Sequence, residues 1–370
     1  MTLADVLVII LKVAICLAIT PLLALVLVYV ERKTLGRLQR RMGPWHVGPM
    51  GTLQTVADAV KLLLKEILMP MGAEPWAYFI APIVVFVPSV LVIVAIPFTH
   101  DLVAAKLDLS LLYVFAVPAL GMIGFIMAGW ASGNKWALLG GIRYVAQAVS
   151  YEIPLVFSIL GVALFAGSLS LAEIVEAQAD SVWYVVVQPT AVVIFFMAAL
   201  AEHSRTPFDM AVGESEVIGG PSVEYSGIAW AMFFLAEYVN VFIMASLTTV
   251  LFLGGWAGPF LPGWTWFLIK ATPLMIFTFY LRGTLPRLRI DQLMGLCWKV
   301  LIPLSLLNLI VAATFVVYGW VPTIPLAIVV LAGAYWFYRR EWLKVIEVPE
   351  RPPVRKPVPS RNLAETAGPA

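Results

Sequence analysis

The 370-residue chain has few of the side chains that bind metals and redox groups. It contains only two cysteines, Cys16 and Cys297, which lie far apart in apolar segments without CxxC spacing, and only three histidines. Iron–sulfur clusters need sets of cysteines, and membrane haem usually needs paired histidines. No glycine-rich nucleotide motif follows a plausible strand. We therefore expect no metal and no redox centre in this chain, and we interpret both cysteines as packed core residues.

Charge is equally scarce. Only 12% of the residues are charged and 61% are hydrophobic, and the mean hydropathy is +0.93. These values lie outside the range of soluble proteins. The composition therefore predicts an all-α polytopic membrane protein with no nucleic-acid partner.

Apolar windows of about 20 residues predict about nine transmembrane helices. They fall at 6–30, 77–98, 110–131, 145–167, 183–201, 227–253, 264–281, 298–319 and 321–338. Residues 1–342 are then a single integral-membrane domain. Residues 343–370 are rich in proline and charge, which predicts a disordered tail.

The positions of lysine and arginine predict the orientation. With the N-terminus outside, nearly every Lys and Arg falls on an inner connection or the tail, and the outer loops keep essentially Lys106 alone. Since inner loops of membrane proteins carry the positive charge, we expect a periplasmic N-terminus and a cytoplasmic C-terminus.

Residues 52–68 form a further predicted element. Leu53, Val56, Val60 and Leu64 recur at helical spacing on one face, while Asp58 lies on the other. The stretch is too polar to span, which indicates an amphipathic helix at the inner interface. It is either a surface anchor or, because Asp58 lies near the apolar boundary, one wall of a site.

The connection 202–226 is the most unusual part of the chain. It has a single certain cation, Arg205, against five carboxylates: Glu202, Asp209, Glu214, Glu216 and Glu224. Crowded carboxylates near hydrocarbon repel one another and titrate as a coupled set. This pattern indicates a loop that handles protons or a ligand. His203 is either a polar loop residue or a proton relay among these acids.

Carboxylates inside spans are costly and therefore candidates for function. Glu237 lies within the sixth predicted span and Glu152 about two turns into the fourth, while Glu31 closes the first. Glu31 has an equally good interpretation as a solvated residue in a basic segment. The inner segment LRGTLPRLRIDQL holds Arg282, Arg287 and Arg289, which either follow the positive-inside rule or pair with the acidic loop.

Several long blocks resemble one known family. They include ERKTLGRLQRRMGPWHVGPMGTLQTVADAVKLLLKE, GWASGNKWALLGGIRYVAQAVSYE, AEHSRTPFDMAVGESEVIGGPSVEY and LRGTLPRLRIDQLMGLCWK. These blocks resemble the H-subunit family of bacterial NADH-quinone oxidoreductases, the counterpart of mitochondrial complex I subunit 1. The likeness extends from about residue 25 to 300.

The resemblance implies a membrane subunit at the junction with the cytoplasmic arm of a proton-pumping complex in the bacterial inner membrane. It implies a chamber for a quinone substrate, ubiquinone or menaquinone, and the start of a carboxylate proton path. NADH, FMN and iron–sulfur clusters would belong only to partner subunits. The implied partners are cytoplasmic quinone-module subunits, small and antiporter-like membrane subunits, and membrane lipid.

Matching residue by residue, the resemblance implies that the chamber and proton path comprise Glu31, Asp58, Arg143, Glu152, Glu202, Asp209, Glu214, Glu216, Glu224, Glu237, Arg282, Arg287 and Arg289. His203 departs from the mitochondrial pattern, which has a small polar residue there. Two other functions stay open from the sequence: a membrane subunit of an energy-converting hydrogenase, which would use no quinone, and a self-sufficient proton-coupled transporter.

Overall fold

The computed structural model describes residues 3–100 and 102–318 and the single positions 332, 333, 336 and 339; of residues 3–9, Glu214 and Ser215 it describes only the backbone. The helices in chain order are α1 (Leu3–Leu38), α2 (Gln54–Leu64), α3 (Pro75–Ala95), α4 (Ser110–Ala131), α5 (Lys135–Ala166), α6 (Leu171–Ala179), α7 (Tyr184–Val187), α8 (Pro189–Glu202), α9 (Glu214–Val217), α10 (Gly227–Phe252), α11 (Gly263–Thr284), α12 (Ile290–Leu296) and α13 (Ile302–Tyr318). A π-helical turn, Cys297–Leu301, joins the last two.

The predicted all-α membrane class is confirmed. Within the described ranges there is no strand, and seven helices are long and apolar enough to cross a membrane. Six are α1, α3, α4, α5, α10 and α11, and the seventh runs from α12 through α13. The predicted ninth span and the proline-rich tail lie outside the described residues.

The fifth predicted span, 183–201, is not one continuous helix. It is divided at Gln188 into the short α7 and the 14-residue α8, because Pro189 has no N–H to continue the helical ladder. At 1.5 Å per residue α8 is about 21 Å long, shorter than the roughly 30 Å hydrocarbon core. Such a break is tolerated only where protein covers it, and Gln188 is buried and donates to the Gly161 carbonyl at 3.2 Å.

Helix α5 begins ten residues before the predicted span, at Lys135, where the Asn134 side chain accepts a hydrogen bond from the Trp136 N–H. An Asn at this position satisfies a helix-terminal donor and starts the helix. Glu152 therefore lies about 26 Å along α5, near the middle of the 32-residue helix. The predicted two turns were counted from residue 145, ten residues after the helix begins.

The centre of the bundle is formed by α5 and α10, in each of which 56% of the spanning window is buried, compared with 22% in α1. Tyr151 of α5 and Phe252 of α10 are completely buried. The outer helices keep large apolar side chains exposed, as expected where lipid is the solvent. Functional groups on α5 and α10 therefore lie inside protein.

The acidic loop packs closely on α5 through two glycines. A Cβ on Gly140 would lie 2.5 Å from the Gly220 Cα, and a Cβ on Gly220 would lie 2.0 Å from the Ala211 carbonyl oxygen. Gly220 also has a φ of +66°, a conformation that side chains other than glycine rarely adopt. This contact fixes the middle of the loop against the bundle.

Candidate functional site

A cluster of four charges, two of them buried and two partly exposed, lies where α1, α8, α10 and α11 approach one another. At its centre is Arg205, with its side chain only 3% exposed; its Nη1 lies 3.6 Å from Glu31 Oε2 and 3.3 Å from Glu237 Oε1. Arg282 Nη1 donates to the other Glu31 oxygen. Two carboxylates and two guanidiniums thus balance, as buried charges must.

Electrostatic attraction to the two carboxylates and stacking on an aromatic ring hold Arg205 in place, rather than well-aligned hydrogen bonds. Its guanidinium lies over the Tyr238 ring at 4.7 Å, while its three nitrogens have no hydrogen-bond acceptor among the described residues. Burial opposes the charge of Arg205, but the carboxylates of Glu237 and Glu31 outweigh it and raise its pKa. The side chain is therefore a permanent positive charge.

The rest of the acidic loop is joined to the bundle by polar contacts. Arg287 reaches Asp209 at 3.0 Å, and Arg143 reaches Glu216 at 2.8 Å. Asn134 donates to the Glu224 carboxylate at 2.6 Å. Part of the negative charge of the loop is therefore balanced by Arg143 of α5 and by Arg287, which follows α11. Burial raises the pKa of Asp209, although Arg287 opposes that shift.

Asp58 of α2 forms an ion pair with Arg32 near the end of α1 and accepts a hydrogen bond from Gln54 at 3.2 Å. Burial alone would raise the pKa of Asp58, but the bonds from Arg32 and Gln54 outweigh it and lower the pKa. This carboxylate is therefore ionised at neutral pH. It joins the amphipathic helix to the first span.

Beside this pair lies a cavity of about 370 Å³ between α1, α2 and α10, which we call the apolar cavity. Most of its lining is aliphatic or aromatic, and its polar groups include Arg32, Asp58 and Lys61. An apolar pocket of several hundred Å³ with a few polar groups is typical of a small-molecule site.

Two smaller cavities share lining residues with it in turn. The middle cavity, about 100 Å³, shares Trp230 and Phe234 with the apolar cavity and is also lined by Glu237. The deep cavity, about 20 Å³, is lined by Glu202. The middle and deep cavities share four lining residues: Phe125, Tyr144, His203 and Asn240.

Glu202 and Glu152 differ from the carboxylates of the charge cluster because no cation among the described residues pairs with either of them. Each is near enough for its charge to raise the energy of the other when both are ionised. Tyr144 lies within electrostatic reach of both Glu202 and Glu237. This arrangement joins the charge cluster to the unpaired acids.

The structure brings most of the predicted site residues into this region, with two exceptions. The side chain of Glu214 is outside the described part of the chain. Arg289 is exposed and makes no ion pair within the described residues. Glu237 lies in this region, but its side chain is not fully buried. It is 37% exposed and lines the middle cavity. In the part of the chain described, no group of three or more His, Cys, Asp or Glu side chains is arranged to hold a metal ion.

The residue that sequence reasoning missed as a site member is Arg205. It is flanked in the chain by polar loop residues, whereas its partners come from α1 and α10. One feature of the sequence could have identified it: Arg205 is the single certain cation among the five carboxylates of the loop. A lone cation in that setting is expected to compensate buried negative charge.

Comparison with known proteins agrees with this architecture. A family model described as NADH dehydrogenase matches residues 11–313. The NADH-quinone oxidoreductase H subunit of Geobacillus kaustophilus is 51% identical over 310 residues, covering 81% of this chain and 92% of the relative. The chain belongs to the NADH dehydrogenase family. The H subunits of the same enzyme from Brevibacillus brevis and Dehalococcoides mccartyi are 48% and 47% identical, covering 79% and 78% of this chain and 88% and 81% of the relatives.

Membership in the NADH dehydrogenase family makes the chain an integral-membrane subunit of a complex I oxidoreductase. It sets aside the membrane component of a hydrogenase and the self-sufficient transporter, the two alternatives that the sequence left open.

Proposed function

We propose that this subunit forms the access chamber for a quinone and the start of the proton path that couples quinone reduction to proton translocation. The observation that carries the proposal is the row of three cavities with shared lining residues. The row leads from the apolar cavity at α1, α2 and α10 to Glu202.

The apolar cavity matches the chemistry of a quinone. An isoprenoid tail needs an apolar groove, which α1 and α10 supply with Leu25, Val28 and Leu235. A headgroup that gains negative charge on reduction is stabilised by cations, and Arg32 and Lys61 line the same cavity. The cavity is therefore suited to a molecule with a long apolar tail and a polar head.

Electrostatic interaction over a few ångströms can couple quinone reduction to proton transfer. Two unit charges about 4 Å apart interact by about 4 kcal/mol at an effective dielectric constant near 20. A negative charge arriving near the Glu31, Arg205, Glu237 and Arg282 cluster therefore changes protonation equilibria by orders of magnitude. We propose that the change passes from Glu237 to Glu202 and then to Glu152.

The setting of this function is also a proposal. The chain places its N-terminus in the periplasm and its C-terminus in the cytoplasm of the bacterial inner membrane. It binds the cytoplasmic quinone-module subunits, which with their neighbours hold FMN, the iron–sulfur clusters and the NADH site. Within the membrane it contacts small and antiporter-like subunits.

The test is photolabelling of the assembled complex with a quinone analogue that carries an azide on its headgroup. We expect modified peptides from residues 21–32, 54–64 and 228–235, and competition by unlabelled quinone. Labelling of this subunit only outside those segments, or labelling that excess quinone does not reduce, contradicts the proposed chamber.

A further inference from the structure

His203 occupies a special position between two cavities. It is the first residue after α8, and its side chain lines both the middle cavity, with Glu237, and the deep cavity, with Glu202. Each of the two cavities that the ring lines therefore also contains one of these carboxylates. Glu202 comes from α8 and Glu237 from α10, so the loop residue bridges two elements.

The ring nitrogens are available to water or to the carboxylates. None of the described residues forms a hydrogen bond with the His203 side chain, which is partly accessible within the cavities. The neighbouring Ser204 hydroxyl also lines the middle cavity and has no described hydrogen-bond partner. Unsatisfied polar groups beside a space of about 100 Å³ are suited to ordered water.

The surroundings keep the imidazole neutral. Burial, together with the positive charge of Arg205, lowers the pKa of His203 to about 4. A neutral imidazole has one N–H donor and one acceptor nitrogen. It can take a proton at one nitrogen and release another from the opposite nitrogen, so it need not store charge beside Arg205.

The other polar side chains that line both cavities, Asn240 and Tyr144, do not serve this purpose equally well. The Asn240 amide has no titratable proton. Tyr144, on α5, lines both cavities and is the one rival relay, but its ring is stacked on Phe125 with 3.8 Å between ring centroids.

We propose that His203 is the relay that carries a proton between Glu237 and Glu202. The inference rests on the proposed proton path and names the group that bridges its first two acids. The O–H bond of protonated Glu237 breaks as an N–H bond forms on one ring nitrogen, directly or through water. The opposite N–H bond breaks as an O–H bond forms on ionised Glu202, and ring rotation restores the starting tautomer.

The decisive variants are His203→Gln, which keeps hydrogen bonding but cannot relay a proton, and His203→Ala, which leaves space for free imidazole. Both are measured in the whole complex in sealed membrane vesicles, with NADH-driven quinone reduction and proton uptake recorded together. We expect proton uptake to slow about 10- to 100-fold in each. Added imidazole should restore much of the proton-uptake rate in His203→Ala and should not change the rate of the wild type.

Imidazole rescue separates a relay from a packing role, because a small base cannot repair a misfolded loop. The matched control is His46→Gln, an exposed histidine in another loop, which should behave as wild type. Wild-type proton uptake in His203→Gln overturns the relay. Loss in Tyr144→Phe with normal uptake in His203→Gln also overturns it and assigns the step to the tyrosine.

Parallel variants distinguish failure of this inference from failure of the proposed path. If Glu202→Gln and Glu237→Gln are impaired while His203→Gln is normal, only the relay is wrong. If all three assembled variants pump as wild type, the carboxylate path itself is wrong. If His203→Ala is impaired and imidazole does not restore it, His203 has a structural role and the relay is rejected.

Discussion

Four carboxylates of the site, Glu31, Glu237, Glu202 and Glu152, fall into two groups that differ in their counter-charges. Glu31 and Glu237 face Arg205 and Arg282 in a cluster whose formal charges cancel. Glu202 and Glu152, deeper in the bundle, have no such partner among the described residues. Ionising both members of the second group at once is costly, because the two carboxylates repel each other.

The difference indicates a division of roles. In the proposed path the paired group provides the field that a new negative charge disturbs, and Glu237 passes its proton on. The unpaired group responds by gaining or losing a proton. The predictions at Arg205, Glu202 and Glu152 test whether the two groups behave differently when one member is changed, and the others test pairs outside both groups.

The largest effect is expected at Arg205. Arg205→Met leaves Glu31 and Glu237 with only Arg282, and removing one partner of a buried ion pair costs about 3–5 kcal/mol. We expect little assembled complex on native gels and a lower temperature of inactivation. Arg289→Met, which removes an exposed guanidinium, should assemble normally.

A second substitution sharpens this result. Adding Glu237→Gln to Arg205→Met removes one of the stranded negative charges, so assembly should recover in part. No recovery, or full assembly of Arg205→Met alone, would mean that the cluster does not depend on charge balance.

The next largest effect is on activity rather than assembly, at Glu202. Glu202→Gln keeps the shape of the side chain and breaks no ion pair found in the described residues, so the complex should assemble in normal amounts. Proton translocation should fall about 10-fold or more, as expected when a proton-transfer group is lost. The assay is proton uptake in vesicles, and Glu173→Gln, at an exposed position elsewhere in the chain, is the control.

Glu152→Gln should give a similar loss, and the double variant should be little worse than either single variant, because both acids act in one path. Fully additive losses would instead show that the two acids act independently, which would contradict the proposed sequence of transfers.

A smaller effect is expected at Asp58. Because its pKa is lowered, its pair with Arg32 is intact above the ordinary aspartate range and is lost only as the pH falls through the lowered value. Quinone KM should therefore show no contribution from this group between about pH 6 and 8. Asp58→Asn should raise KM several-fold with kcat nearly unchanged, measured with a short-chain quinone. Asp180→Asn, on an exposed position elsewhere, should leave KM unaltered; a fall in kcat alone for Asp58→Asn would place Asp58 outside the chamber.

The smallest effect is expected at the Arg143–Glu216 pair. The two side chains are 22% and 43% exposed, and such exposed pairs contribute about 0–1 kcal/mol. Arg143→Gln should therefore change the inactivation temperature by only a few degrees. The change should shrink further at high salt, and a large loss of assembly would show that this pair belongs with the charge cluster.

The membrane class and the helices that surround the site could be predicted from the sequence because hydrophobicity and periodicity are local properties. An apolar run of about 20 residues is helical in lipid whatever its neighbours are, since its backbone must satisfy its own hydrogen bonds. The acidic character of residues 202–226 could also be read directly, and it identified the part of the chain that lies at the site.

The break at Gln188, the early start of α5 and the role of Arg205 were not predicted. A window of hydropathy is insensitive to one proline, and an asparagine cap outside the apolar run does not alter it. The partners of Arg205 are 174 residues before it, at Glu31, and 32 residues after it, at Glu237. No spacing rule connects positions that far apart.

The sequence by itself thus determined that the chain is a helical membrane protein and which acids lie in or near hydrocarbon, because transfer free energies depend on composition. Only the tertiary structure decided which of those acids are neutralised by guanidiniums and which share cavities with His203. Charge pairing falls off over a few ångströms, and those distances exist only after distant helices have packed together.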